Sequence, residues 1–222
     1  IMADEFEGDF GEEQKKMQAF LKSPEWKRTT AQGWGVNRAE TAEIFTANQM
    51  YIRKFPDRAA SLLGKLHCQH YGLPSFGKRL AAATREFVPF SGDPAGWFAQ
   101  NGRFTDFSGK TIELPERTFA THTSGKYTAA RVPLLDVIAE VLRQPDEVWL
   151  NNYDGKAFDC LNYIRFYRDK AINVVCRIEN GKTLAVRTWF EIAIRPTTRS
   201  GGKIAPEKDP RLKYRRGLLV KK

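Results

Sequence analysis

The chain has 222 residues, 41% hydrophobic and 12% aromatic, enough to build a packed core in one large domain or two small ones. Its net charge of +10 is unevenly placed: residues 1–150 hold 19 Lys and Arg against 19 Asp and Glu, whereas residues 151–222 hold 17 against 7. No run of about 18 apolar residues is present to span a bilayer, the acidic opening IMADEFEGDFGEE is unlike a signal peptide, and no membrane partner is expected.

A basic region on a neutral body is the electrostatic footprint of a polyanion partner, nucleic acid first. The odd set Cys68, Cys160 and Cys176 has no metal-type spacing and fits reduced thiols in a cytoplasm-like compartment; Cys176 alternates with Ile172, Val174 and Ile178 as a buried thiol would.

In chain order, EEQKKMQAFLKS sets Met17, Phe20 and Leu21 on one helical stripe, stopped by Ser23-Pro24. AETAEIFTANQMYIRKF and DRAASLLGKLHCQHY read as two further helices split by Pro56 and closed by Gly72, and KRLAAATREF continues the helical run. His67 and His70 flank Cys68 on one of these helices, but without a further ligand at matching spacing they read as helix surface. From Val88 to about Ser124 the texture turns to Gly, Pro, Ser and Asp with scattered aromatics, which reads as irregular or short-stranded structure and marks a boundary. Residues 1–120 are therefore expected to be a mostly helical docking or packaging region, and residues 121–222 a second domain with a basic C-terminal extension.

RVPLLDVIAEVLRQ, Arg131 to Gln144, reads as one amphipathic helix with Val132, Leu135, Val137, Ile138, Val141 and Leu142 on its apolar face. Four strand-like runs follow: EVWLN, CLNYIRFYR, AINVVCRIE and TLAVRTWFEI, joined by the loop NYDGKAFD and by turns at Asp169-Lys170 and Asn180-Gly181. RRGLLV is a candidate edge strand. The fold class is thus α+β, a helical N-terminal region followed by a helix packed on a four-stranded antiparallel sheet.

Alternation assigns Val148, Leu150, Leu161, Ile164, Phe166, Ile172, Val174, Cys176, Ile178, Leu184, Val186, Phe190 and Ile192 to the core face, with an irregularity near Leu161. The opposite face then carries Trp149, Tyr163, Arg165, Tyr167, Asn173, Arg177, Arg187, Trp189 and Glu191. Open to solvent, it would be a basic surface interleaved with aromatics, suited to single-stranded nucleic acid: arginines pair with phosphates and π-faces stack on bases. Tyr163, Arg165, Tyr167, Arg177 and Trp189, with Arg131, are the expected nucleic-acid-binding residues.

His122 stands in THTSGKYTAAR, where Ser124, Lys126, Tyr127 and Arg131 crowd within nine residues. A histidine near neutral pKa together with Arg187, Lys126 or Arg131 has the parts for metal-independent RNA cleavage, in which the RNA's 2′-hydroxyl is the nucleophile. Glu191 is a candidate second acid or base. Thr188 would reach a phosphate only if a bulge turned it out of the core.

The segment from HTSGKY through RVPLLDVIAEVLRQPDEVWLNN to YIRFYRDKAINVVCRIENGKTLAVRTWFEI resembles the nuclease-like domains of the barnase, EndoU, colicin and RelE superfamily found in phage minor head (Mu F-like) and polymorphic-toxin proteins, over about residues 120–194. The PDEVWL junction, the YIRFYRDKAINVVCRIENGK hairpin and the closing VRTWFEI carry the resemblance. It implies helices on one side of a four-stranded antiparallel sheet and a metal-independent endoribonuclease with no cofactor, forming a 2′,3′-cyclic phosphate. His122, Arg187 and Thr188 stand at the places of the family's histidine, basic residue and Ser/Thr, with Lys126 beside them, and the resemblance does not place the glutamate base of the barnase branch. The resemblance also implies RNA as partner, phage head or portal proteins or an immunity protein as further partners, and a virion or host-cytoplasm setting. The N-terminal part would then be carried in the virion and released by proteolysis, and Ile1 as first residue would suit either a trimmed chain or a partly ordered one. Fold alone does not prove catalysis, and a virion structural protein or an RNA-binding module that cleaves nothing is the competing expectation.

Overall fold

The structure is a computed structural model that describes residue 68 and residues 71–151, 160–179, 183–194, 211, 214–215 and 218–222. The helices expected before residue 68, the His67/His70 pair, the loop NYDGKAFD and the Asn180-Gly181 turn lie outside the described residues. Of the described residues, 68, 71–73, 149–151, 211, 214–215 and 218–220 belong to one compact unit and the rest to a second, which holds the candidate site.

The described elements are α1 (Phe76–Ala81), α2 (Pro94–Gln100), β1 (Arg103–Thr105), β2 (Thr111–Glu113), α3 (Glu116–Thr123), a 3-10 turn (Gly125–Tyr127), α4 (Thr128–Arg131), a second 3-10 turn (Val132–Leu134), α5 (Val137–Arg143), β3 (Glu147–Asn151), β4 (Cys160–Tyr167), β5 (Lys170–Glu179), β6 (Thr183–Glu191) and β7 (Leu218–Lys221). The fold is α+β, but the sheet has seven strands in the order β1-β2-β6-β5-β4-β3-β7 rather than four. It is also mixed: β4/β5 and β5/β6 are antiparallel as expected, whereas β2 runs parallel to β6, pairing Ile112 with Leu184 and Glu113 with Ala185. The β1–β2 hairpin falls in the stretch read from sequence as irregular or short-stranded. Its three-residue strands are too short for an alternation to show, and Asp106 organises the turn by accepting from Ser108 N, Ser108 Oγ and Lys110 N. No described helix is long and apolar enough to cross a membrane.

Residues 131–144 do not form one helix. Pro133 has no N–H for an i→i−4 bond, and the backbone tightens to i→i−3 bonds, Leu135 N to Val132 O ahead of α5 and Ile138 N to Leu135 O in its first turn. The β4–β5 turn is centred on Arg168-Asp169, one residue earlier than expected, because Tyr167 pairs with Lys170 and Asp169 takes φ 60°, a left-handed conformation that Asp tolerates.

The sheet's faces are the larger correction. The β4/β5 register runs without interruption from Cys160–Arg177 to Tyr167–Lys170, so Leu161, Tyr163, Arg165 and Tyr167 share one face with Ile172, Val174 and Cys176. That face meets α5, which packs on β1, β4 and β5 through buried Val137, Ile138, Val141 and Leu142. The aromatic-and-arginine set therefore lines the core. On the other face, the Phe166 ring meets Phe76 of α1 at 5.4 Å. Every residue of β4 is buried. The strand reads as half-polar because the Tyr163 and Tyr167 hydroxyls and the Arg165 Nη atoms find partners inside the protein.

Candidate active site

His122 is positioned by aromatic packing one turn earlier on its own helix. Asp93 caps α2, accepting from Gly96 N at 2.7 Å, with Pro94 at the first helical position. Phe119 of α3 stacks on Phe98 of α2 at 4.4 Å and on Trp97 at 6.2 Å, and Trp97 Nε1 donates to Asp136 Oδ1 at 2.9 Å. His122 lies three residues beyond Phe119, on the same side of a helix that packs against β6. Sequence placed it in a polar segment ahead of a helix; it occupies the last turn of one.

The His122 imidazole is half-buried between two rings, Trp189 at 5.1 Å and Tyr127 at 5.9 Å. Its Nδ1 is 2.8 Å from the carbonyl of Thr118. A carbonyl only accepts, so Nδ1 carries the proton and, in the neutral ring, Nε2 keeps a lone pair. Burial pushes the imidazole below its ordinary value; the Thr118 carbonyl opposes this, and the positive charges of Arg131 and Arg187 lower it further.

Arg187 reaches this position through a β-bulge. The β5/β6 register pairs Val175 with Thr188 but the next residue, Cys176, with Val186, leaving Arg187 as the extra residue. Leu184 and Val186 face the core before the bulge, and Trp189 joins them after it. Thr188 and Phe190 are turned to the opposite face with Ala185. Thr188 is half-exposed, and no hydrogen bond or ring contact joins it to His122 among the described residues. The alternation expected for TLAVRTWFEI, with Arg187 and Trp189 on one side and Val186 and Thr188 on the other, is broken here. Arg187 is exposed and, among the described residues, has no carboxylate partner.

Lys126 is exposed, its ammonium 5.1 Å from the centre of the Tyr127 ring that His122 also stacks on. Lys126, Tyr127 and His122 thus form a row. Tyr127 is 38% exposed. In the sequence it is only one member of a crowded segment, and its place beside the imidazole follows from the 3-10 turn after α3.

Arg131 turns inward. Its Nη1 donates to the carbonyl of Trp189, the Trp189 Nε1 donates to the carbonyl of Arg131 at 3.0 Å, and its guanidinium lies 5.1 Å from the Phe190 ring.

The other expected nucleic-acid contacts do not form a surface. Tyr163 is fully buried, its hydroxyl donating to Asp106 Oδ2 at 2.9 Å, and burial first, then the Cys176 and Asp106 charges, push its phenol well up. Tyr167 is 1% exposed and donates to Glu140 Oε2 at 3.1 Å; burial and the Glu140 charge raise it strongly. Arg165 is buried, its Nη2 2.7 Å from Glu140 Oε1 and its Nη1 donating to the carbonyl of Gln144, the C-cap of α5. It offsets the negative helix end rather than a phosphate. Trp189 is fully buried, and Arg177 is half-buried on the face opposite Trp189. Trp149 and Asn173, also expected on the open face, are both fully buried. Glu191 pairs with Lys170 at 3.1 Å. Cys68, Cys160 and Cys176 are buried, as Cys176's alternation indicated. Among the described residues no three His, Cys, Asp or Glu side chains are grouped to hold a metal ion.

What remains accessible is a histidine with an available lone pair, an aromatic ring beside it, and the cations Arg187 and Lys126. Such a set can accept a proton from a hydroxyl and stabilise an anion forming next to it. Comparison with known families gives a match over residues 89–220 to the model described as phage-Barnase-EndoU-ColicinE5/D-RelE like nuclease2. At a significant level the chain matches no curated protein and no solved structure.

Proposed function

Because the chain belongs to the phage-Barnase-EndoU-ColicinE5/D-RelE like nuclease2 family over residues 89–220, we propose that it is an endoribonuclease that cleaves RNA through the 2′-hydroxyl without a metal ion. The observation that carries this reading is the state of His122: Nδ1–H engaged on the Thr118 carbonyl, two arginine charges acting on the ring, and Nε2 left as the proton acceptor.

In this mechanism Nε2 takes the proton of a 2′-hydroxyl as its oxygen attacks the adjacent phosphorus. The O2′–P bond forms, the P–O5′ bond breaks, and the products are a 2′,3′-cyclic phosphate and a 5′-hydroxyl whose proton comes from solvent. Negative charge grows on the non-bridging oxygens between the two states. Arg187, an exposed planar cation on the bulge, is suited to meet it with two parallel hydrogen bonds, and Lys126 adds a second positive charge. The proposed setting is phage-associated or toxin-type, in the virion or host cytoplasm, with phage head or portal proteins or an immunity protein as partners.

The test is incubation of the purified chain with RNA in excess EDTA, followed by end-group analysis. Products ending in 2′,3′-cyclic phosphate, lost in His122→Ala while salt-sensitive RNA binding persists, support the reading. Binding with no cleavage by the wild type would instead assign a nucleic-acid-binding virion component, and cleavage that EDTA abolishes would assign a metal nuclease.

A further inference from the structure

We propose that Arg131 is a positioning residue that clamps the β6 bulge and thereby holds Arg187 toward His122, rather than a phosphate contact. The proposal rests on the nuclease reading for its kinetic consequence and on geometry alone for the clamp.

Strand β6 needs such a device because of how its neighbours end. On one side β2 pairs with it only at Leu184 and Ala185, so beyond Ala185 no described strand supports that edge. On the other side the ladder with β5 is interrupted at Val175/Cys176, where Arg187 is inserted. A bulge with one unsupported flank has room to move or to slip by a residue, and a slip would return Thr188 to the core and carry Trp189 away from His122.

Arg131 closes that gap from the end of α4. The exchange with Trp189 is reciprocal: guanidinium Nη1 to the Trp189 carbonyl, and indole Nε1 to the Arg131 carbonyl at 3.0 Å. Two bonds between one pair of residues fix orientation as well as distance, and the guanidinium plane rests over Phe190 at 5.1 Å. The Trp189 indole so held is the ring against which His122 lies, at 5.1 Å. One arginine thus fixes both the strand that presents Arg187 and the surface that orients the imidazole. The groups acting on His122 are then Arg131 from α4, Arg187 from β6, the Thr118 carbonyl of its own helix, and Tyr127, which carries the Lys126 ammonium.

Arg131→Lys and Trp189→Phe, singly and together, test the clamp. Lysine keeps the positive charge but not the planar fork; phenylalanine keeps a ring but loses the Nε1 donor. If Arg131 positions, Arg131→Lys lowers kcat on RNA by about tenfold or more while KM and the salt dependence of binding stay put. The double variant is then no worse than the more damaged single, because both break one device. Hydrogen exchange of the Trp189 indole N–H, measured without RNA, speeds up in Arg131→Lys while that of the Trp97 indole does not. The proposal is overturned if Arg131→Lys leaves indole exchange unchanged, or if kcat holds while KM rises and the salt slope falls by about one phosphate's worth. Because indole exchange is read on the protein alone, absence of cleavage by the wild type refutes the nuclease reading without touching the clamp.

Discussion

Arg165→Ala separates a structural arginine from an RNA-binding one. The Arg165 side chain is 6% exposed and makes a 2.7 Å ion pair with Glu140, a hydrogen bond to the Gln144 carbonyl and a 3.3 Å bond to Gln144 Oε1. Hydrogen bonds to a charged group contribute about 1.5–3 kcal/mol each. The sum is an overestimate here, because the Glu140 side chain is 41% exposed and Gln144 is exposed, so both regain water when the guanidinium goes. The buried Nε of Arg165, without a hydrogen-bond partner among the described residues, already costs the native state something. Together these place the loss for Arg165→Ala at about 2–4 kcal/mol, or about 1–2 M in urea midpoint at an ordinary m-value. Arg165→Met removes the charge and the unpaired Nε while keeping most of the volume, and costs about 1 kcal/mol or less. Urea denaturation followed by tryptophan fluorescence measures both, with salt-dependent RNA binding alongside. The reasoning is refuted if Arg165→Ala lies within about 0.5 kcal/mol of wild type and weakens RNA binding with a reduced salt slope.

Further outcomes follow from the same structure. His122 has a folded pKa below its unfolded value, with burial the first cause, so within the window between them the unfolded chain binds more protons and stability rises with pH. For the same reason the acidic limb of kcat/KM on RNA lies below the ordinary histidine value, and Arg187→Ala, which removes one lowering charge, moves the His122 titration seen by NMR to higher pH; a shift to lower pH contradicts the proximity of the two groups. Tyr163→Phe strips the donor from Asp106 Oδ2 in a site where Asp106 is 3% exposed, and is expected to cost about 1–3 kcal/mol by thermal melting; an unchanged Tm would mean that the turn readily re-satisfies that oxygen.

Local chemistry was legible without coordinates. The β4, β5 and β6 runs, the hairpin turn near Asp169, the edge strand near Leu218 and the buried Cys176 follow from period-two apolar patterning and turn residues, which act within a few residues of chain. The crowding of His122 with Lys126, Tyr127 and Arg131 was legible too, because they lie within nine residues of one another. The pattern could not say which side of the sheet the helix covers. Alternation is symmetric, and Tyr163, Arg165, Tyr167 and Trp189 look like an open face until Asp106, Glu140, the Gln144 carbonyl and the Arg131 carbonyl are brought to their polar atoms. Those partners come from loops and helices 21 to 58 residues away in the chain, so only the packed structure pairs them. The bulge at Arg187 is the same kind of fact. A strand by itself keeps its alternation; a mismatch of one residue between β5 and β6 reverses it, and that mismatch decides that Trp189 supports His122 while Thr188 faces away.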